Sequence, residues 1–423
     1  MSRVLFITYY WPPSGKASIH WPLKIINCLP EFGCVPAVLT VEEDTFSQKD
    51  FSLLNRVDKN LKVIKTKSFE PFNLYRKFTG KGKEEQLVAS ETISLTNKSL
   101  SHRISIWIRM NLFIPDARIG WFPYAVAGGG KLLSKNRFDA VVSIGPPHTT
   151  QLIGMKLAKQ FRIPHFPVFI DPWVDIVYYR NFKRSSLTLA IDNYFEKSVI
   201  SNSAKAVFVT DTMRDDFVKK YPFIKDRAEV LYWGYDEDEF AGFQPVNKPG
   251  EMVILHSGNI FDFQNPVKFW GTVKKMIGLG KNIRLKFTGT VSPGIKNSIS
   301  AAGLEPYTDY LGFLPYDKLI KTMEEATYLM VCPTEPRHLP GKLFEYLRTG
   351  KTILAFGNDN KDVQDILRRA NAGMLFRYDE DAEIFFEKAG NFSTDIEIVK
   401  QYDRRNMARK LSEIIEQEIS SKY

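Results

Sequence analysis

The sequence predicts an α/β protein built from two Rossmann-like domains, and three observations carry that expectation. The chain has 423 residues, too many for one ordinary core and suited to two. It opens as an apolar strand at 3–10 (RVLFITYY), a loop Trp11-Pro-Pro-Ser-Gly15, and a helical pattern over about 19–32. Near the other end, apolar strands at 328–333 and 353–356 flank a helix of barely two turns, opened by Pro340 and Gly341 and closed by Gly350. A short helix between two parallel strands is the compact crossover of an open α/β sheet.

Composition narrows the class. The chain is 44% hydrophobic and 25% charged, ordinary for a soluble globular protein. Cys28, Cys34 and Cys332 make no disulfide framework and have no metal-ligand spacing, which fits a reducing cytoplasm. The first residues run straight into a strand, so no signal peptide is expected. No run of about 18 apolar residues offers a bilayer span. Lys and Arg number 58 against 48 Asp and Glu, a net charge of +10. That excess suits nucleotide phosphates or an anionic membrane face. Without zinc-finger spacing, a P-loop or an RNA-binding aromatic signature, nucleic acid is not expected as a partner.

In chain order, the first strand and loop are not the dinucleotide fingerprint, because Gly15 stands alone where three glycines are needed. Further strands read at 35–41 and 61–67, followed by a polar, basic excursion over 68–95 (RKFTGKGKEEQ within it). The stretch 100–122, LSHRISIWIRMNLFIPDARIGWF, has two readings. One is a buried connecting helix packing Ile104, Ile106, Trp107, Ile108, Met110, Leu112 and Phe113. The other is a surface resting on lipid headgroups, with Arg103, Arg109 and Arg118 beside the apolar residues.

The strand at 139–144 ends in Gly145-Pro-Pro-His148, a helix follows at 151–161, and the strand at 165–170 ends in Asp171-Pro-Trp173. Open α/β sheets bind ligands at the carboxyl ends of their strands, so His148 and Asp171 are candidates. After strands at 207–210 and 229–233, the run GYDEDEF and then PVNKPGE has the composition of a hinge. The second domain restarts at 252–259, with Gly258 and Asn259 ending that strand and Gly289 ending the next, 283–290. The last helix, about 402–421, alternates charge with Leu and Ile. The expected division is 1–240, 250–398 and a terminal helix 399–423. Two Asp-Glu-Asp triplets, 236–238 and 379–381, read as solvated turns, and no metal site is expected.

The helix opened by Pro340 would point unpaired N–H groups of Gly341, Lys342 and Leu343 at the mouth of its sheet, an anion site of the kind phosphate occupies. Gly341 leaves room for close approach, and Lys342 adds charge. Glu345, one turn in, can accept hydrogen bonds from two ribose hydroxyls. The competing reading is a plain helix start in which the dipole stabilises Glu345.

The segment PGKLFEYLRTGK resembles the nucleotide-sugar segment of family-4 glycosyltransferases, retaining enzymes of the GT-B fold, and especially their bacterial polysaccharide-assembly members. The resemblance runs through PPSG, GPPH, DPW, SGN and PGKLFEYL in order, nearly the whole chain. It implies two domains facing across a cleft, with a terminal helix returning to the first. It implies transfer of a sugar from a nucleotide-diphosphate sugar to the hydroxyl of a saccharide or lipid-linked saccharide, with no cofactor and no metal. By the same resemblance Gly15, Gly258, Asn259, Gly289, Pro340, Gly341, Lys342, Leu343 and Glu345 hold the donor. His148 and Asp171 line the acceptor side, Lys342 meets the departing diphosphate, and the protein works in the cytoplasm or on the inner face of the cell membrane.

Departures are specific. Arg337 stands where the family has the first glutamate of its Glu-x7-Glu motif, Lys16 replaces a loop glycine, Trp21 stands near an expected arginine, and Ile170 replaces another. The basic pair expected after Gly258 is missing, with Asn265 and Lys268 the nearest substitutes. A nucleotide-sugar epimerase of the same fold, or a non-catalytic sugar-nucleotide-binding subunit, are the alternatives.

Overall fold

The computed structural model describes residues 1–69, 106–108, 110–176, 182–246 and 250–421. Most of the basic excursion, and Arg103, Ile104 and Arg109, lie outside the described residues. The chain divides into two compact units, Met1–Tyr232 with Ala408–Tyr423, and Trp233–Met407.

The first unit is a seven-stranded parallel sheet: β1 (Ser2–Thr8), β2 (Cys34–Val41), β3 (Lys62–Thr66), β4 (Ala140–Gly145), β5 (His165–Phe169), β6 (Ala206–Phe208) and β7 (Ala228–Val230). The spatial order is β3-β2-β1-β4-β5-β6-β7, all parallel. Its helices are α1 (His20–Cys28), α2 (Phe122–Lys135), α3 (Thr149–Phe161), α4 (Ser186–Ser201) and α5 (Asp211–Lys220). Strands β1 and β4 are buried along nearly their whole length. That is why they read as continuous apolar runs rather than alternating ones. Leu5, Ile7, Leu39, Val141, Ile153 and Leu157 form one core cluster, and Phe169, Phe208, Phe217 and Trp173 belong to a second.

The second unit is a six-stranded parallel sheet: β8 (Met252–Ser257), β9 (Ile283–Thr288), β10 (Thr308–Gly312), β11 (Tyr328–Val331), β12 (Thr352–Phe356) and β13 (Gly373–Phe376). The order β10-β9-β8-β11-β12-β13 reverses direction between β8 and β11, which is where doubly wound sheets take ligands. The helices here are α6 (Val267–Gly278), α7 (Pro293–Ala301), α8 (Tyr316–Glu325), α9 (Gly341–Arg348), α10 (Lys361–Arg369), α11 (Glu383–Lys388) and α12 (Ile396–Lys400). The final helix, α13 (Arg404–Ser420), crosses the boundary between units after Met407. Its later turns join the first unit: Ser412 Oγ donates to the Phe32 carbonyl at 2.8 Å and Lys410 Nζ to the Val230 carbonyl at 2.9 Å. Leu411, Ile414 and Ile415 are buried.

The stretch 100–122 corrects the buried-helix reading in part. Residues 106–108 and 110–112 are helical, and Met110 and Asn111 are buried, but Trp107 is 52% exposed and Leu112 63% exposed. Asn111 ties this helix to α4: its Oδ1 accepts from the Ser185 amide at 2.6 Å and from Thr188 Oγ1 at 3.1 Å. The polar side chain, not the tryptophan, is the anchor. Both Asp-Glu-Asp triplets are turn formers: Asp236 accepts from the Asp238 amide at 3.2 Å and Asp381 from the Glu383 amide at 3.1 Å.

Candidate functional site

At the β8/β11 switch point, the chain leaves β8 through Gly258 and Asn259 and returns from β11 to α9. Pro340 caps α9 in an extended conformation, so the helix starts at Gly341 as its sequence indicates. The Leu343 amide bonds the Pro340 carbonyl at 3.0 Å. That corrects the expectation of three free donors, since extended Pro340 turns its carbonyl toward the third amide. Among the described residues, no hydrogen bond engages the Gly341 or Lys342 amide. The face of Gly341 lies against the Trp233 indole, where a Cβ would come within 2.5 Å of Cδ1. Glycine is therefore required here by Trp233.

Lys342 folds back onto the end of β8, its Nζ donating to the Ser257 carbonyl at 2.6 Å. It passes over Gly258, whose φ of +104° few side chains adopt, and a Cβ at that position would overlap the ammonium. Burial lowers the Lys342 pKa, while the Glu345 charge opposes that shift. Gly289, at the end of β9, faces Gly258 directly, and a Cβ would stand 2.7 Å from the Gly258 carbonyl carbon. Gly258 donates to the Thr288 carbonyl at 3.0 Å, and Asn259 Oδ1 accepts from the Thr290 amide at 3.0 Å. Two glycines thus let adjacent strand ends close into one floor beneath Lys342. Tyr346, buried, secures the floor by accepting from the Ser257 amide at 2.9 Å.

Glu345 lies one turn into α9. Burial raises its pKa above the ordinary carboxylate value, opposed by the charges of Arg404 and Lys342 and by a hydrogen bond from the Tyr316 hydroxyl, and helped by Glu239. Arg337, where the first glutamate of the family motif would stand, is exposed. Asn265 does not replace a missing base. Its Nδ2 donates to Ser298 Oγ and its Oδ1 accepts from Trp270 Nε1, both at 2.8 Å. Gln264, which sequence reasoning passed over, braces the loop after β8 by donating to the Cys332 carbonyl and accepting from the Phe261 amide at 2.9 Å.

In the first unit, the structure brings His148 and the Asp171–Trp173 stretch together at the ends of β4 and β5. The His148 ring stacks on Trp173 with centroids 4.8 Å apart, and Nε2 donates to the Pro172 carbonyl at 3.3 Å. The imidazole is 5% exposed, and Nδ1 is buried without a hydrogen-bond partner. Burial pulls its pKa down to about 3, with the Pro172 bond opposing, so the ring is neutral with Nδ1 an acceptor. Trp173 Nε1 donates to Asp192 at 2.7 Å, which fixes the plane on which the imidazole lies. Asp116 holds the start of α3 beside His148, accepting from the Thr149 amide and Oγ1, each at 2.9 Å. Asp192 and Asp116 gave no sequence signal, because isolated acidic residues in mixed segments look solvated. The Gly15 amide is taken by the Gln48 carbonyl at 3.0 Å. Trp21 is buried and donates to the Tyr232 carbonyl at 3.0 Å.

No family model matches the chain, and no curated protein does. Solved structures do. A glycosyltransferase from Rickettsia africae is 12% identical, with 99% of this chain and 98% of that one covered and a TM-score of 0.64. HepE of Anabaena in complex with UDP is 12% identical over 99% and 100% of the two chains, with a TM-score of 0.62. A Listeria monocytogenes protein named for UDP-N-acetylglucosamine 2-epimerase is 9% identical over 97% and 94% of the two chains, with a TM-score of 0.53. The fold is GT-B. The GT-B chain described here therefore carries, in its second unit, a glycine-floored, lysine-bearing helix start at the point where such sheets bind ligands.

Proposed function

We propose that this GT-B protein is a glycosyltransferase that takes a nucleotide-diphosphate sugar as donor and passes the sugar, with retention, to an acceptor hydroxyl in surface polysaccharide or glycolipid assembly. One observation carries the reading. At the switch point of the second sheet, Lys342 spans Gly258 to reach the end of β8 while Glu345 stands one turn behind it. A diphosphate there would meet the Gly341 and Lys342 amides and the ammonium, which can leave the Ser257 carbonyl for a fully charged partner. The same groups would stabilise charge developing on the diphosphate as the bond to the sugar breaks, without a metal ion. Glu345 would accept from the ribose hydroxyls. The HepE structures in complex with UDP and with UDP-glucose support the donor class.

His148 and Asp171 would orient the acceptor and the sugar, His148 as a neutral acceptor rather than a charge. The acceptor is proposed to be lipid-linked and reached by peripheral docking. Support comes from the net charge of +10 and from Trp107, Leu112, Leu187 and Tyr194, which are all exposed on the joined 106–112 and α4 segments.

Epimerisation is the second reading, favoured by the Listeria neighbour. Incubation with a panel of nucleotide sugars and lipid-extract acceptors, followed by product analysis, separates the two. Transfer yields glycosylated acceptor and nucleoside diphosphate. Release of an isomerised sugar nucleotide with no acceptor needed would replace the transferase reading with the epimerase one.

A further inference from the structure

Arg404 is buried close to the start of α9. It opens α13, only 7% exposed. Its Nε donates to the Trp233 carbonyl and one terminal nitrogen to the Gly234 carbonyl, each at 3.3 Å. The backbone around it is knitted to the same segment: Tyr235 donates to the Tyr402 carbonyl at 3.0 Å and Arg404 to the Tyr235 carbonyl at 2.9 Å. Gly234 must be glycine, since its φ is +62° and a Cβ would overlap the Tyr402 carbonyl oxygen. Trp233, so held, is the residue whose indole seats on Gly341, the first residue of α9.

A guanidinium buried this deeply is costly unless an opposite charge offsets it. The carboxylates that act on it favourably are Glu345 first, then Asp236, with Glu239 adding to them. Seen from Glu345, the groups that face it are Arg404 from α13, Lys342 from its own helix, Tyr316 from α8 and Glu239 from the turn before the second sheet. Arg404 is the first of the two cations, and Lys342 is also the one expected to turn to the ligand.

We propose that Arg404 is a positioning residue of the donor site: it supplies the counter-charge that Glu345 needs and holds Trp233 under the first turn of α9. This rests on the reading of Glu345 as the ribose acceptor and goes beyond it. When Lys342 leaves for the diphosphate, Arg404 remains as the standing partner of the carboxylate. The carboxylate thus keeps a nearby positive charge as the nucleotide binds.

The test is a double-mutant cycle with a ligand-free readout and a ligand readout. Wild type, Arg404→Met, Glu345→Gln and the double variant are compared by urea unfolding and by UDP calorimetry between pH 5.5 and 8, with Arg404→Lys as the charge-retaining control. The cycle should show that Arg404→Met lowers the folding constant about tenfold more when Glu345 is present than when it is glutamine. UDP affinity of Arg404→Met should fall about tenfold near neutrality. It should fail at a higher pH than wild type as pH drops, because the accepting form is the ionised one; Glu345→Gln should show no such dependence, and Arg404→Lys should regain most of the loss. Equal effects of Arg404→Met in both backgrounds would overturn the proposal. If Arg404→Met alone does not fold, a double variant that does fold still reports the coupling, and a double variant equally unfolded counts against it. UDP binding unchanged in Glu345→Gln would instead refute the ribose reading while the unfolding cycle still judges the charge pair.

Discussion

At the scale of single residues, the site is defined by what cannot be larger and what cannot be unpaired. Gly258 is the clearest case, because its positive φ and the Lys342 ammonium above it both exclude a side chain. Gly258→Ala should cost about 1–3 kcal/mol from backbone strain alone, measurable by urea unfolding, and should weaken nucleotide binding by displacing Lys342. Glu345→Ala should leave the chain folded and weaken nucleotide-sugar binding by roughly 1.5–3 kcal/mol for each charge-assisted hydrogen bond lost, read by calorimetry. His148→Ala belongs to the other unit and should impair transfer far more than donor binding, in paired turnover and binding measurements. Equal losses would mean that the buried ring on Trp173 serves the core.

At the scale of elements, the strand-helix-strand crossover was the most legible part of the chain. Its strands are apolar throughout because both faces are covered, and Pro340 and Gly350 punctuate α9 at each end. The glycine-ended strands β8 and β9 were legible for the same reason. What the sequence did not carry is pairing at a distance. Gln264 bracing Cys332 and Asp192 bracing Trp173 join residues 68 and 19 positions apart, and each looks like a surface polar residue in its own segment. The helical residues 106–108 and 110–112 differ from the buried-helix expectation for a related reason: their apolar residues outnumber the positions that face inward, while Asn111 does the anchoring. Trp107→Ala should therefore cost under about 1 kcal/mol, as surface substitutions do, not the 3–5 of a buried tryptophan. If that surface meets lipid, the same variant should lose co-sedimentation with anionic vesicles. Wild-type binding should fade at 1 M salt, where screening shortens to about 3 Å.

At the scale of the whole molecule, three buried histidines tie stability to pH. Burial pulls the pKa values of His148, His165 and His256 down to about 3, with the Lys342 charge adding to the effect on His256. Each is neutral in the folded chain and takes up a proton on unfolding below the ordinary value near 6.5. Their contribution is thus fully present above pH 6.5 and is lost as pH falls toward 3, at about 1.4 kcal/mol per pH unit for each histidine. Urea midpoints measured from pH 7.5 to 4.5 should fall steeply below 6.5, and His165→Gln should flatten the slope.

Both units are doubly wound sheets, and the account asks one of them, Trp233–Met407, to hold the nucleotide. The most direct measurement is calorimetric titration of wild type and of folded Lys342→Met and Glu345→Ala with UDP and a panel of UDP- and GDP-sugars in chelator. Saturable binding of at least one nucleotide to wild type is expected, with a loss of tenfold or more in each variant. Binding that is undiminished in both variants would contradict it.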